Sequence, residues 1–198
     1  DQATDTPTNN WCTLNPLTNH SDLVLSEGNL KITASSVSAW KSQTSTFGVS
    51  AGKWYWEAKV GAVSASNIHI FAICSENLIS SEKATVITNK LYSYGFKVWD
   101  GYKVYNEATG GSSSSYGSAA SEDDILSVAL DVTNSKLYFG INNTWQASGD
   151  PTSGATGTNA AFTIQSGQIY FPAVSMEGTS TLQWNFGAGS SYANSSDA

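Results

Sequence analysis

The fold of this chain is decided between residues 123 and 143, where the sequence is DDILSVALDVTNSKLYFGINN. Two runs rich in β-branched and aromatic residues, ILSVALDV and KLYFGIN, flank the turn-forming triplet Thr133-Asn134-Ser135. Side chains alternate between the two faces of a strand, so one face of residues 125–132 carries Leu126, Val128, Leu130 and Val132. Because that face is wholly apolar, we predict a β-hairpin whose first strand packs on the core.

The rest of the chain also predicts an all-β fold. Helical periodicity is nearly absent, and turn residues recur between short strand-like runs, as in a β-sandwich or barrel. We expect at least two of Trp54, Trp56 and Trp184 to pack in the core. Residues 108–121 and 146–160 are rich in Gly, Ser and Thr and predict long loops, the first of them mobile. Further strands are predicted at residues 23–26, 30–33, 53–60, 68–74, 91–97, 103–106, 136–142, 168–174 and 181–186.

Composition and charge limit the possible partners. The formal net charge is −7 with a pI near 4.6, and all nine basic residues are lysines. A nucleic-acid-binding protein needs a basic stripe, usually with arginines, so we expect no nucleic-acid partner. The apolar runs are too short to span a bilayer, so we expect no membrane insertion. Seven Trp and nine Tyr in 198 residues are more rings than a core needs, and surface rings are typical of binding sites.

Six motifs occur in the order found in SPRY domains, and together they give the chain a clear resemblance to that family from residue 23 to residue 187. They are GKWYWEAKV at 52–60, IFAIC at 70–74, YGF at 94–96, the hairpin at 124–143, YFPAVS at 170–175 and LQWNFG at 182–187. The resemblance implies a β-sandwich of two antiparallel sheets with the concanavalin A-like jelly-roll architecture. It also implies a non-enzymatic module, because most SPRY domains bind other proteins.

The N-terminal segment carries a narrower resemblance. Residues 6–17, TPTNNWCTLNPL, are similar to the lead-in of SPRY modules in structural proteins of tailed bacteriophages. This implies a virion location, synthesis in the host cytoplasm and a place within a larger polypeptide. We therefore expect an N-terminal arm at 1–21 that packs on the sandwich, a SPRY domain at 22–187 and a C-terminal linker at 188–198.

Two loops are candidates for a ligand site. Trp99, Tyr102 and Tyr105 flank the turn at Asp100-Gly101, and the resemblance places Tyr105 near a ligand-contacting aromatic position of the family. The same resemblance places a second ligand loop at residues 176–178. We hypothesise that both loops form one concave site; the alternative is that the aromatic rings only cover the edge of the sandwich. Trp145 either packs the 146–160 loop down or stands exposed for stacking. The candidate ligand-binding residues are Trp99, Tyr102, Tyr105, Trp145, Met176, Glu177 and Gly178.

No catalytic residue is predicted. Glycosidases need two carboxylates facing a cleft, and Glu57 lies opposite the predicted core face without an acidic partner on a neighbouring strand. The chain has two histidines, His20 in a loop and His69 within an apolar strand, and no G-x-S-x-G motif. The resemblance to SPRY domains makes Asp131 a structural residue, which we expect to bond the backbone of the following turn. We therefore expect no enzyme activity.

No metal or other cofactor is predicted either. Cys12, Cys74 and the two histidines lack zinc-ligand spacing, and both cysteines are expected to be free thiols. The acidic residues at 122–124 or Asp150 leave Ca²⁺ binding open, although solvated carboxylates are the more common arrangement.

The sequence thus favours a non-enzymatic binding module of a phage structural protein that recognises a protein or a host-surface component through its loops. One alternative is a lectin-like module, with Trp99, Tyr102 and Trp145 stacking on sugar rings and Asn142 and Asn143 bonding hydroxyls. Another is a virion decoration domain that binds other virion proteins, which a continuous exposed apolar patch beside the termini would favour.

Overall fold

Twelve β-strands and four short 3-10 helices form the described part of the computed structural model, residues 11–63, 68–75 and 84–187. The first six strands are β1 Leu23–Ser26, β2 Lys31–Thr44, β3 Lys53–Val63, β4 Ile68–Cys74, β5 Ser93–Lys97 and β6 Tyr102–Glu107. The others are β7 Gly110–Ser115, β8 Ile125–Asp131, β9 Lys136–Ile141, β10 Thr144–Trp145, β11 Phe162–Thr163 and β12 Phe171–Asn185. The helices are Pro16–Thr18, Ile87–Asn89, Gln146–Ser148 and Pro151–Thr156. The predicted linker, 188–198, and the first ten residues of the predicted arm lie outside the described residues.

The hairpin predicted from residues 123–143 is confirmed. Strands β8 and β9 pair antiparallel from Leu126 opposite Ile141 to Asp131 opposite Lys136. The predicted core face is buried, with Leu126, Val128 and Leu130 no more than 1% exposed. Asp131 bonds the turn as expected, since one carboxylate oxygen accepts from the backbone N–H of Asn134 at 2.9 Å.

Two long strands were not predicted at their full length. Strand β2 continues to Thr44, far beyond the predicted residues 30–33, and β12 joins the two strands predicted at 168–174 and 181–186. Register shifts on either side of Gly178, which has φ +77°, let β12 bend without ending. A bulged strand through polar residues has no regular alternation, which explains why the sequence pattern suggested a break.

The sheet folds into two facing layers, and all its pairings are antiparallel. One layer has the order β10-β9-β8-β3-β12 and the other β12-β4-β5-β6-β7. The two halves of β12 join the layers: residues 180–185 pair with β3, and residues 171–177 pair with β4. Phe96 of β5 stacks on Phe139 of β9 with ring centroids 5.6 Å apart, so strands far apart in the sheet meet across the core. The predicted antiparallel β-sandwich is confirmed.

Aromatic rings fill much of the core. Trp184 is fully buried, and its ring centroid lies 5.0 Å from that of Phe71. Trp56 is 4% exposed, whereas Trp54 is 48% exposed. The prediction that at least two of these three tryptophans pack in the core is confirmed.

The outer face of β4 is buried as well. Ile70, Ala72 and Cys74 form a small second apolar cluster with Ile87 and Ala173. In the triplet Tyr94-Gly95-Phe96 the two rings point into the main core and the glycine lies on this outer side. A Cβ at Gly95 would lie 2.5 Å from Ile70 Cγ2, so only glycine fits there.

The two segments predicted as long loops contain ordered elements. Residues 110–115 form β7, which pairs with β6 along its whole length although every one of its residues is exposed. The prediction of a loop at these residues was wrong, because backbone hydrogen bonds to β6 form a strand from a sequence with almost no side chains to pack. Residues 146–160 contain two short 3-10 helices, the second capped by the Asp150 side chain, which accepts from Thr152 N.

The described part of the predicted arm contacts the sandwich. Leu14 is fully buried and forms an isolated bridge with Ser45. The backbone carbonyl of Asn15 accepts a hydrogen bond from Gln43 Nε2 at 2.6 Å. Both cysteines are free thiols.

Candidate functional site

The predicted aromatic loop site is divided between two faces of the protein. Tyr105 points inward and makes an edge contact with Phe162 at 5.8 Å, whereas Trp99 and Tyr102 lie on the outer side. The Lys97 ammonium lies 5.5 Å from the Trp99 ring centroid and 5.8 Å from that of Tyr102. Trp99 is half-buried against Trp40, at 6.3 Å, and Tyr102 remains 41% exposed. Trp99 and Tyr102 are therefore brought together, and Tyr105 is not.

The second predicted loop is part of a strand. Met176 lies within β12, opposite Lys41 of β2 and His69 of β4, and is fully buried in the main core. Glu177 and Gly178 continue the same strand and are half-buried. The prediction of a loop at 176–178 was wrong, and the seven candidate residues do not form one concave site, because Met176 and Tyr105 face the interior. Ligand contact by the exposed members stays a prediction.

Trp145 packs on the outer face of the β8–β9 hairpin. Its ring makes edge contacts with Tyr55, at 6.3 Å, and Tyr138, at 6.5 Å. It lies over Gly140, where a Cβ would come within 3.1 Å of the indole ring. The Asn142 side chain, offered above as a sugar ligand, donates to Asp124 Oδ1 at 2.7 Å and accepts from Ile125 N at 2.9 Å. Both residues therefore make structural contacts.

The most exposed aromatic pair lies at the start of β3. Trp54 is 48% and Tyr55 53% exposed, and both residues line two grooves. The first, which we call the aromatic groove, has a volume of about 170 Å³ and is lined by Trp11, Cys12, Phe47, Val49, Trp54, Tyr55, Trp56, Pro172 and Phe186. The second, which we call the shallow groove, has a volume of about 220 Å³ and is lined by Lys53, Trp54, Tyr55, Ala129, Leu130, Asp131, Tyr138, Pro151 and Thr152.

Local hydrogen bonds hold the two rings in place. Trp54 Nε1 donates to the carbonyl of Ala51 at 2.7 Å. The Tyr55 hydroxyl donates to Glu57 Oε1 at 2.5 Å, and its oxygen lies 3.2 Å from Ser127 Oγ. Partial burial, together with the Glu57 carboxylate, raises the pKa of Tyr55 to about 12, so its hydroxyl is protonated at neutral pH.

The aromatic groove exists because β12 stops short of the end of β3. The last pair between these strands joins Asn185 to Glu57, and the chain then turns, with Gly187 N donating to the Asn185 side chain. Of the described strands, only β8 pairs with residues 53–56. The far wall of the groove is built by the N-terminal arm and the segment after β2, which are tied together by Thr46 N donating to Thr13 O at 2.7 Å.

The two grooves differ in charge. None of the described residues that line the aromatic groove is charged. In the shallow groove Lys53 Nζ lies 3.4 Å from Asp131 Oδ2. Burial alone would raise the pKa of Asp131, but the hydrogen bonds from Asn134 and the nearby Lys53 ammonium outweigh it, so the pKa is lowered. The surface around Trp54 and Tyr55 is thus apolar, with one neutralised ion pair at its margin.

Asp123 and Asp124 make structural contacts, and His69 is buried. Asp124 accepts from Ser121 N, and Asp123 forms an ion pair with Lys59 at 3.1 Å. His69 is 1% exposed, neither ring nitrogen has a hydrogen-bond partner among the described residues, and burial lowers its pKa to about 4. Within residues 11–63, 68–75 and 84–187, no three His, Cys, Asp or Glu side chains are grouped as a metal site requires. No helix in that same part of the chain is long and apolar enough to cross a membrane.

Comparison with known proteins assigns the family. The family model for the SPRY domain matches residues 53–189, more than half of the chain. The chain belongs to the SPRY domain family. Members of this family are non-enzymatic modules that bind other proteins, in agreement with the binding role expected from the sequence. No curated protein sequence matches the chain.

Solved structures confirm the SPRY fold. The SPRY domain of human HERC1 superposes with a TM-score of 0.66 at 12% identity, and the match covers 89% of this chain and 99% of that one. The PSpry domain of TRIM65 gives a TM-score of 0.59 at 14% identity and covers 88% of this chain and 92% of the other. At such low identity the likeness concerns the fold alone.

Proposed function

We propose that this SPRY domain is a non-enzymatic binding module of a phage structural protein and that it binds a protein partner through Trp54 and Tyr55. The observation that carries the proposal is the exposed aromatic pair, which lines both the aromatic groove and the shallow groove. Half-exposed Trp and Tyr side chains offer a large contact area at little cost in conformational entropy, and they dominate the energy of protein interfaces.

The size of the grooves favours a protein ligand over a small molecule. Each measures about 170 to 220 Å³, below the ~300–1,000 Å³ typical of small-molecule sites. A groove of this size accepts one large side chain of a partner. The proposed partner is therefore a protein on the host surface or in the virion.

The phage context is supported by the N-terminal segment. The resemblance of residues 6–17 to the lead-in of phage SPRY modules supports a virion location within a larger polypeptide. A host-surface partner would make the domain a host-attachment module.

One observation favours the virion decoration alternative as a second candidate. Trp11 and Phe186, at the first and near the last described positions, both line the aromatic groove, so an apolar patch lies beside both ends of the described domain. A neighbouring virion protein would cover that patch. The same surface serves both candidates, and only the identity of the partner separates them.

A pull-down tests the function. Wild-type domain, a Trp54→Ala/Tyr55→Ala variant and a Tyr102→Ala control are exposed separately to host envelope extract and to dissociated virions. Tyr102 is a comparably exposed aromatic residue outside both grooves. We expect wild type and the control to retain one protein that the double variant loses. Retention by all three, or loss by the Tyr102 control alone, would show that the Trp54–Tyr55 surface does not bind the partner. A captured glycan without protein would favour the lectin-like alternative.

A further inference from the structure

We propose that the partner enters the aromatic groove as an extended strand that pairs with the free edge of β3 at Lys53 and Tyr55. This inference rests on the proposed function and specifies how that surface binds. It requires three properties of the groove: unpaired backbone groups along one wall, further donors for a bound backbone, and room for one uncharged side chain.

The backbone direction follows from the hydrogen bonds of β3. Gly52 O accepts from Val132 N at 2.9 Å, so the backbone groups of residue 52 point toward the β8 side of the strand. In an antiparallel strand, alternate residues turn their N–H and C=O groups to opposite sides. Trp54 and Trp56 therefore face β8, whereas Lys53 and Tyr55 turn their backbone groups toward the aromatic groove.

No described strand takes up those groups. On the groove side β12 ends at Asn185, opposite Glu57, so its ladder stops before reaching Tyr55. Among the described residues, none forms a backbone hydrogen bond to Lys53 or Tyr55 on this side. A free strand edge of this kind is the template for strand addition by a peptide, in which main-chain hydrogen bonds provide affinity.

The groove walls hold two further donors. Trp11 and Trp56 both line it, and the buried indole N–H of each has no hydrogen-bond acceptor among residues 11–63, 68–75 and 84–187. Buried donors in native proteins are nearly always paired, so two orphans in one groove need an explanation. The carbonyl oxygens of an extended backbone are acceptors of the required kind.

The side-chain preference follows from the lining. Because none of the described residues that line the groove is charged, and its volume of about 170 Å³ suits one large side chain, the partner segment presents an aliphatic or aromatic residue there. Specificity in strand addition comes from pockets for alternate side chains, so its neighbours point away from the groove. We therefore assign the occupant as an extended segment of a different protein with a central uncharged apolar residue.

The test uses peptides selected from a random library on the immobilised wild-type domain. Binding should slow hydrogen exchange at the amides of Lys53 and Tyr55, which have no backbone partner in the described part of the chain, and leave Trp54, already paired with β8, unchanged. N-methylation of the peptide at alternate positions should weaken binding about tenfold per position, as expected for one lost hydrogen bond, and have no such effect at the intervening positions.

Two variants at Tyr55 distinguish the contribution of its backbone N–H to peptide binding from that of its ring. Tyr55→Pro removes the N–H that faces the groove, whereas Tyr55→Ala removes the ring and keeps the N–H. We expect the proline variant to bind at least about tenfold more weakly than the alanine variant. If the proline variant does not fold, the peptide N-methylation series decides the same question without it.

The outcomes distinguish this inference from the proposed function. Peptides that require Trp54 but tolerate every N-methyl group, with unchanged exchange at Lys53 and Tyr55, would overturn strand addition and leave the binding surface intact. Peptide binding that is indifferent to the Trp54→Ala/Tyr55→Ala change would overturn both. Failure to select any peptide would overturn strand addition. Concentration-dependent dimerisation that the double variant abolishes would make a second copy the occupant and overturn the assignment of a different protein.

Discussion

Acid should destabilise this domain through His69, a histidine enclosed by strands. Its ring is 1% exposed and has no hydrogen-bond partner among the described residues, and burial lowers its pKa to about 4 from the 6.5 of a free histidine. Above pH 6.5 the ring is neutral in both the folded and the unfolded chain. Between pH 6.5 and 4 the unfolded chain takes up a proton that the folded domain does not, so the free energy of unfolding falls as the pH falls.

The size of the effect follows from the shift of about 2.5 pKa units. At about 1.4 kcal/mol per unit, the loss is roughly 3 kcal/mol at pH 4, where the buried ring is half protonated, and it levels off below that pH. Small domains are stable by about 5–15 kcal/mol, so one histidine would remove a substantial share of the total. Removing the titration with His69→Leu should therefore make the domain less sensitive to acid, with little change at pH 8.

Urea unfolding followed by tryptophan fluorescence measures this. Wild type, His69→Leu and a His20→Gln control are unfolded between about pH 4 and pH 8. His20 lies near the surface beside Asp22, at 3.7 Å, so the control separates burial from the loss of any histidine. The gap between wild type and His69→Leu should widen by roughly 3 kcal/mol toward pH 4. A gap that stays constant within about 0.5 kcal/mol would refute the account of His69 as a desolvated, unpartnered ring.

Three stability predictions follow from the packing. Trp184→Ala should cost about 3–5 kcal/mol in urea unfolding because the ring is fully buried, whereas Trp54→Ala, half-exposed, should cost far less; equal costs would contradict the observed burial. Gly95→Val should destabilise by at least about 1–3 kcal/mol through its contact with Ile70, and a neutral result would mean that the outer side of β5 is open. Asp131→Ala should cost about 1–3 kcal/mol by removing the hydrogen bonds to the turn, while Asp131→Asn should recover part of that loss; identical losses would refute the hydrogen-bonding role.

Some errors in the predicted site were avoidable from the sequence. Tyr102 and Tyr105 are three residues apart on one strand, so period-two alternation places them on opposite faces, and only one belongs on the surface with Trp99. The burial of Met176 was not avoidable in this way. It depends on β12 running through a bulge at Gly178, which turned a predicted loop into strand.

The sequence predicted part of the Trp54–Tyr55 surface. Both residues belong to the motif at 52–60, and their aromatic character was clear. The exposure of Trp54 was not, because Trp54 lies on the same face of β3 as buried Trp56. The other walls come from Trp11, Phe47 and Phe186, which are distant in sequence and meet only because β12 ends at Asn185.

The sequence by itself determined the all-β class, the central hairpin, the SPRY family and the structural role of Asp131. These depend on local alternation, turn residues and short motifs, which act over a few neighbouring positions. The tertiary structure alone decided the length of β2 and β12, the strand formed by Gly and Ser at 110–115, and the groove beside β3. Those features depend on backbone hydrogen bonds between distant segments, and the pattern of side chains along the sequence does not show which distant segments pair.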